Sequence, residues 1–254
     1  MKKFLKKILP KTLLYVYWLI RVVRIKVIKF IPRYDEDELI TAHHCDFMKD
    51  DRFLSCYNAA VTAGLAVSNT IHWRAHVICW AAERAKKLGG DFVECGVNKG
   101  FLSKIAMDYI DFKALPTTFW LMDTFEGLSD KYITSQERDK GVKAGGYESC
   151  LEQVKDTFKD FPNVRIVKGT IPDTLPEVTA SRVAYLSIDM NCVIPEIAAA
   201  EYFWDKLVSG AAMVLDDYGH SGHEEQKWAF DKFAKERNVP LLCLPTGQGI
   251  IIKP

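Results

Sequence analysis

Residues 91–100 read Asp91-Phe92-Val93-Glu94-Cys95-Gly96-Val97-Asn98-Lys99-Gly100. A short apolar run ends in an acid, passes two glycines and enters the amphipathic segment Gly100–Ile110. That order predicts strand, tight turn, helix. Gly96 and Gly100 let the backbone turn sharply and lie close to a ligand, with a helix N-terminus behind it. The spacing is not G-x-G-x-x-G, because Asn98 stands at the middle position, so the full dinucleotide fingerprint is missing. Glu94, leading into the glycines, adds a carboxylate able to accept bonds from a cationic amino-acid cofactor. A purely structural turn is the alternative explanation of the loop.

Outward from this stretch, short apolar runs alternate with amphipathic ones. After Asp91–Glu94, strands are expected at Thr118–Met122, Val164–Lys168, Ala184–Ile188 and Ala211–Leu215. Helices are expected at Gly100–Ile110, Tyr147–Phe161, Pro195–Leu207 and Glu224–Arg237. Leu241–Leu244 and Ile250–Ile252, separated by Pro245-Thr246-Gly247-Gln248-Gly249, read as a closing hairpin. The pattern implies an α/β fold: a doubly wound, mostly parallel seven-stranded sheet with an antiparallel edge at its end. Upstream, residues 35–88 read as helical. Thr70–Lys87 is the clearest case, with Trp73, Val77, Trp80 and Ala81 at helical spacing and Gly89-Gly90 as its stop. The expected division is a basic arm (1–33), a helical N-terminal part (34–88) and a catalytic domain (89–254).

The chain has 254 residues, 48% hydrophobic and 26% charged, enough for an ordinary soluble core. Residues 1–33 hold ten basic side chains and no acid, leaving 24 basic and 33 acidic residues in the body. An acidic body argues against nucleic acid as a partner. The uncharged run Thr12–Ile20 is too short to span a bilayer, where about twenty residues are needed. A secretory signal fits poorly as well, since Arg21, Arg24, Lys26 and Lys29 follow the apolar core and no small-residue cleavage site appears. The arm is therefore either a peripheral membrane contact, at the inner face of an anionic membrane, or a packing arm for the domain or a homo-oligomer. Seven scattered cysteines without a CxxC pair point to reduced thiols and a cytoplasmic protein, with Cys79, Cys95 and Cys243 as small core residues.

In an open parallel sheet, ligands bind beyond the carboxyl ends of the strands. Asp123 ends the second strand, where an acid can accept both hydroxyls of a ribose; capping the next turn is the alternative. Asp189 and the pair Asp216-Asp217 end the fourth and fifth strands. Adjacent strand tips would gather these three carboxylates, which repel unless a cation neutralises them, and an all-oxygen set suits Mg²⁺. Such a metal can orient a vicinal diol and lower the pKa of a hydroxyl to be methylated. His220 and His223 follow in the same loop, either as a general base or, for His220, as a substrate contact. The adjacent His43 and His44, in a presumed helix, diverge, and His72 and His76 suit packing. Lys131–Gly146 is a long polar loop that is either a lid, with Tyr147 at its end within reach of substrate, or a disordered or simple insertion.

These stretches together resemble the macrocin O-methyltransferase family, class I enzymes that methylate sugar hydroxyls using S-adenosyl-L-methionine and Mg²⁺. The resemblance rests on Asp91–Val97, Asp123-Thr124-Phe125-Glu126-Gly127-Leu128, Gly169-Thr170-Ile171-Pro172-Asp173-Thr174-Leu175-Pro176, Leu186-Ser187-Ile188-Asp189 and Val214-Leu215-Asp216-Asp217-Tyr218-Gly219. It covers the chain from about Gly64 onward and implies a Rossmann-like methyltransferase fold. It implies cofactor contacts at Glu94, Gly96 and Asp123, with Asn98, Gly100, Thr124 and Gly169 completing the set. It also implies metal ligation by Asp189, Asp216 and Asp217, with Asp189 doubling as the base and His220 as a second catalytic candidate. The acceptor is expected to be a small molecule or glycan. Two positions depart: Asn191 stands where the family often has a second acid, and Cys192 where catechol-type relatives carry a lysine. A nicotinamide-dependent oxidoreductase and an inactive membrane-docked scaffold of the same fold are the rival readings.

Overall fold

The computed structural model describes residues 15–19, 32–66 and 70–254. It divides into two compact units, the first ending at Asp46 and the second running from Phe47 to Pro254. In the first unit, residues 15–19 are helical with exposed side chains, and most of the basic arm, with its membrane or packing role, lies outside the described residues. Among the described residues no helix is long and apolar enough to cross a membrane.

The segment read as helical from residue 35 opens instead with a hairpin. β1 (Tyr34–Glu36) pairs antiparallel with β2 (Leu39–Thr41). Asp37 and Glu38 make the turn, both at positive φ as a two-residue hairpin of this hand demands. Acids at both turn positions and strands of three residues give no alternating pattern to read. His43 and His44 follow in irregular backbone, not in a helix.

In the second unit, α1 (Asp51–Thr62) starts where the Asp50 carboxylate accepts from Phe53 N at 2.8 Å. α2 (His72–Ala85) buries Ala75, Ile78, Cys79, Ala81, Ala82 and Ala85. The expected face is split: Ala81 is buried and Trp73 packs on Phe47, whereas Trp80 is 46% exposed, beside Arg84. Alanines let the helix axis approach the sheet, which indole rings would hold away. His72 stacks on Tyr57 and His76 on Phe47, as packing residues do.

The sheet follows with β3 (Asp91–Cys95), α3 (Phe101–Ile110), β4 (Phe119–Asp123), α4 (Ser135–Asp139), α5 (Leu151–Phe158) and β5 (Val164–Lys168). Then come β6 (Val183–Ile188), α6 (Val193–Trp204), β7 (Leu207–Leu215), α7 (Glu224–Glu236), β8 (Leu241–Cys243) and β9 (Gly249–Ile252). The strand order is β5-β4-β3-β6-β7-β9-β8. All neighbours from β5 to β7 are parallel, and β9 alone runs against both its partners. The closing hairpin β8–β9 thus gives the expected antiparallel edge, with β9 as the strand that runs against the rest.

Every residue of β6 is buried, as a central strand covered on both faces must be. One face packs Val93, Leu186 and Met213 against Ala199, Phe203, Phe230 and Phe233 of α6 and α7. The other packs Phe92, Phe119, Tyr185 and Val214 against α2, α3 and α5. Cys79 and Cys95 are buried as expected, whereas Cys243 is exposed on the edge strand, where one face has no helix over it. The order in which strands are added switches from one side of β3 to the other between β3 and β6, which opens a crevice at their carboxyl ends.

Candidate active site

A cavity of about 340 Å³ fills that crevice. Glu94, Gly96, Asn98, Asp123, Thr124, Gly169, Asp189, Asp216 and Asp217 all line it. Gly96, at φ +91°, has its amide on Met122 O, while the Asp189 amide donates to Cys95 O at 2.9 Å. A β-carbon built on Gly96 would lie 1.6 Å from the Asp189 carbonyl oxygen, so this turn admits glycine alone. Glycine here brings the β3 and β6 loops into contact.

Asp123 closes the loop. Its Oδ2 accepts from Val97 N at 2.6 Å and Asn98 N at 2.7 Å, and its Oδ1 from Phe125 N at 2.6 Å. It caps the following turn and clamps the glycine loop together, while still facing the cavity. Glu94 lies beneath, 3% exposed, with Ser103 Oγ donating to its Oε2. Burial pushes its carboxyl up to about 8, against the Ser103 hydrogen bond and with help from the negative charges of Asp216 and Asp123.

The three strand-end acids converge as expected. One carboxylate oxygen from each of Asp189, Asp216 and Asp217 lies within 4.8 Å of the others. Burial first, then repulsion from Asp216 and Asp217, holds the Asp189 carboxyl well above its ordinary range. Asp217 is raised by the same causes, burial leading and Asp216 next. Asp216 is fastened from two sides: Arg74 Nη1 donates to Oδ2 at 2.7 Å and Gln248 Nε2 to Oδ1 at 3.0 Å. Asn191 N donates to Asp217 Oδ2 and Asn191 Nδ2 to Asp189 Oδ1, so this residue ties two of the acids together. Behind them Glu196, also buried, accepts from Met190 N at 3.3 Å.

Two residues do not reach the cavity. Gly100 stands behind it at the start of α3, and a β-carbon there would meet the Phe158 ring at 2.6 Å. Its lack of a side chain serves packing rather than ligand contact. His220 is likewise absent from the lining; its ring lies against Gly247, and Nε2 is buried there. The loop turns back on the β8–β9 connection, with Gly219 N bonded to Gly247 O, which seats the imidazole against that connection while its charge still acts on Asp217. His223 stands nearer, its Nδ1 3.8 Å from Asp217 Oδ2 and bonded to Gln226.

The expected lid is an ordered cover. Leu128 and Gly145 exchange backbone bonds at 2.9 and 2.8 Å, closing the loop at its base. Within it Thr134 and Glu137 form a capping box that starts α4. Tyr132 and Tyr147 line the cavity from this side, and burial, then Asp189 and Asp217, raises the Tyr147 phenol. Sequence reading passed over Arg74, Gln248 and Glu137. Only Glu137 had a local signal, the Thr134-x-x-Glu137 spacing.

The sequence model of the macrocin-O-methyltransferase (TylF) family matches residues 73–242. The chain belongs to that family. Similar proteins include a 8-demethyl-8-(2,3-dimethoxy-alpha-L-rhamnosyl)-tetracenomycin-C 4'-O-methyltransferase of Streptomyces olivaceus, 26% identical over 55% of this chain and 57% of that protein. Another is the demethyldecarbamoylnovobiocin O-methyltransferase of Streptomyces niveus, 26% identical over 51% and 53% of the two chains. The chain spans about half the length of these curated relatives. Among solved structures, the O-methyltransferase NovP superposes with a TM-score of 0.63 at 20% identity, covering 74% of this chain and 82% of its own. Calicheamicin methyltransferase CalS11 gives 0.57 at 15% identity, covering 84% and 86%. The fold is the Rossmann-like one of these methyltransferases.

Proposed function

We propose that this chain transfers a methyl group from S-adenosylmethionine to a hydroxyl of a sugar or sugar-bearing small molecule, assisted by Mg²⁺. The observation that carries the reading is the meeting of three strand-end carboxylates in the cavity that also holds Glu94 and the Asp123-clamped glycine loop. The names of the relatives support the acceptor class, a rhamnosyl-bearing tetracenomycin in one and TDP-rhamnose for CalS11.

The residues fit a divalent cation: every donor is an oxygen, and the repulsion that lifts Asp189 and Asp217 is what a bound cation relieves. Asp189, Asp216 and Asp217 would hold it, and when bound it supplies a positive charge that makes an acceptor hydroxyl more acidic. The cofactor supplies an electrophilic sulfonium methyl, which passes to the acceptor oxygen. Glu94 takes the cofactor's ammonium, whose charge offsets the burial that otherwise keeps this carboxyl protonated. Asp123 already accepts three amide bonds, from Val97 and Asn98 on Oδ2 and from Phe125 on Oδ1, while the single Thr124 hydroxyl proton goes to Gly127 O at 2.6 Å, so Oδ1 keeps a lone pair for a ribose hydroxyl. Asp189, beside the acceptor in this reading, takes the proton the acceptor hydroxyl releases. Tyr132, Tyr147 and Met190 exclude water and orient the sugar ring, so that proximity supplies much of the acceleration.

The test is calorimetric titration with S-adenosylhomocysteine, then transfer of labelled methyl from S-adenosylmethionine to TDP-rhamnose and simple rhamnosides, with and without EDTA. Micromolar binding and EDTA-sensitive labelling are expected. Absence of S-adenosylhomocysteine binding would end the proposal.

A further inference from the structure

Glu137 is 3% exposed, yet it belongs to the cover and not to the core. A buried carboxylate is tolerated only where its oxygens find donors. Oε2 accepts from Thr134 N at 2.7 Å, completing the capping box of α4. Oε1 accepts from Val193 N, also at 2.7 Å, across 56 positions of sequence. Val193 is the first residue of α6, and the residue at its cap, Cys192, offers no side-chain hydrogen bond. A helix start without Ser, Thr, Asp or Asn at its cap leaves amides unpaired and attracts an anion. Glu137 supplies from the cover the cap that Cys192 lacks. The segment it caps is short and consequential: only Met190, Asn191 and Cys192 separate Val193 from Asp189.

The other ties of the cover are of a weaker kind. Lys131 with Asp173 and Lys140 with Glu224 are exposed pairs, and exposed pairs contribute little. Thr134 Oγ1 reaches Glu225 at 3.1 Å, a single hydroxyl contact. The buried, doubly bonded link runs through Glu137.

We propose that Glu137 is a positioning residue: it bolts the cover to the start of α6, so that the wall carrying Tyr132 and the loop carrying Asp189 are set relative to one another by a single carboxylate. The inference rests on reading the cavity as a methyl-transfer site, with the acceptor between cover and acids. It has a consequence that ordinary helix capping lacks. Loss of the carboxylate loosens two segments far apart in sequence, and it disturbs the acceptor's seat while leaving the cofactor's seat, at Glu94 and the glycine loop, as it was.

Three variants separate these effects. Thr134→Ala removes the Oγ1 cap of α4 and keeps the Val193 contact; Glu137→Ala keeps that cap and removes the carboxylate's bonds to Thr134 N and Val193 N; Glu137→Gln keeps a neutral acceptor oxygen and guards against a misfolded alanine variant. Hydrogen exchange is followed over residues 128–146 and 189–196, alongside the affinity for S-adenosylhomocysteine. Glu137→Ala should speed exchange in both segments roughly tenfold or more, with Glu137→Gln intermediate, since a bond to a charged acceptor is lost. Thr134→Ala should speed only the first segment. S-adenosylhomocysteine affinity should stay within about twofold in all three, as it should for a ligand seated away from the bolt. With TDP-rhamnose or a rhamnoside as methyl acceptor, the acceptor KM should rise for Glu137→Ala far more than for Thr134→Ala. Unchanged exchange over 189–196 in both Glu137 variants would overturn the proposal, as would parallel loss of S-adenosylhomocysteine binding. Failure of the wild-type protein to bind S-adenosylhomocysteine would instead overturn the methyl-transfer reading, and the exchange comparison would still decide the bolt.

Discussion

In the floor of the cavity, Glu94, Asp123, Asp189 and Asp216 stand in or just beyond four neighbouring parallel strands, so backbone ladders set their spacing. In the cover, residues 128–147, no strand beyond the Leu128–Gly145 bridge holds anything; side-chain contacts to Asp173, Val193, Glu224 and Glu225 do. The floor is the part of the molecule that a change of acceptor need not alter, because charge and cofactor chemistry fix it. The cover can be re-cut by exchanging exposed contacts, at small cost to the fold. Substitutions should therefore act steeply below and shallowly above.

Gly96→Ala is the harshest test of the floor. The added carbon collides with backbone of the Asp189 loop, which has no flexible end to move aside. A loss of more than about 4 kcal/mol of stability is expected, in the range reserved for gross steric or buried-charge damage. Thermal unfolding measures it. A melting temperature near that of the wild type would show that strand ladders do not hold the floor rigidly, and the contrast with the cover would dissolve.

Asp189→Asn keeps shape and removes the proposed base. Turnover should fall by roughly 10²–10⁴-fold, the usual worth of a positioned proton acceptor, while S-adenosylhomocysteine affinity stays within about twofold. Parallel loss of both would mean that Asp189 serves the cofactor's seat and not the acceptor.

The ease with which these floor residues were found in sequence has the same origin as their steep effects. Strand, acid and glycine are adjacent in the chain, so a short continuous apolar run points directly at the residue that ends it. The residues that were missed owe their place to contacts between distant segments. Arg74 and Asp216 are 142 positions apart, and nothing in a helix of alanines and aromatics marks Arg74 as the residue that turns inward. Gln248 sits in a hairpin turn where a polar residue is ordinary, yet it is fully buried against Asp216. His220 follows Asp217 closely in the chain, yet it does not line the cavity, because three residues on the loop has already turned onto Gly247. The hairpin Tyr34–Thr41 escaped notice because its turn is made by two acids and its strands are too short to show a period.

Glu94 gives a subtler probe of the floor through pH. Its carboxyl is raised in the folded chain to about 8, from an ordinary value of 4.5. The folded state thus holds a proton that the unfolded state releases, and the associated stability is present in full below about 4.5 and is lost as pH climbs through about 8. In the ligand-free protein, stability should decline across that window by an amount of the order of a few kcal/mol attributable to this group. Glu94→Gln, which can still accept from Ser103, should flatten the decline, and melting temperatures of the two proteins between pH 5 and 8 measure the difference. Parallel curves would mean that Glu94 is ionised without its ligand, and that the floor is wetter than its burial implies.

The mildest change belongs at the outer edge of the cover. Lys131 reaches both oxygens of Asp173, at 3.0 and 2.8 Å, but Tyr132 and Thr170 donate to the same carboxylate and remain when the ammonium is removed. Both members of the pair are open to solvent, so water and salt screen their attraction. The Asp173 carboxyl is held down at about 2, by Lys131 first and then by the two hydroxyls. What the pairing contributes is therefore present above about 3.8 and is lost only as pH falls through about 2, far below any assay condition. Lys131→Ala should move the melting temperature by about a degree at most and the acceptor KM by roughly twofold at most, with the difference erased in concentrated salt. A tenfold rise in acceptor KM would break the contrast between regions, for it would make an exposed lysine, rather than the buried Glu137 carboxylate, the fastening that seats the acceptor.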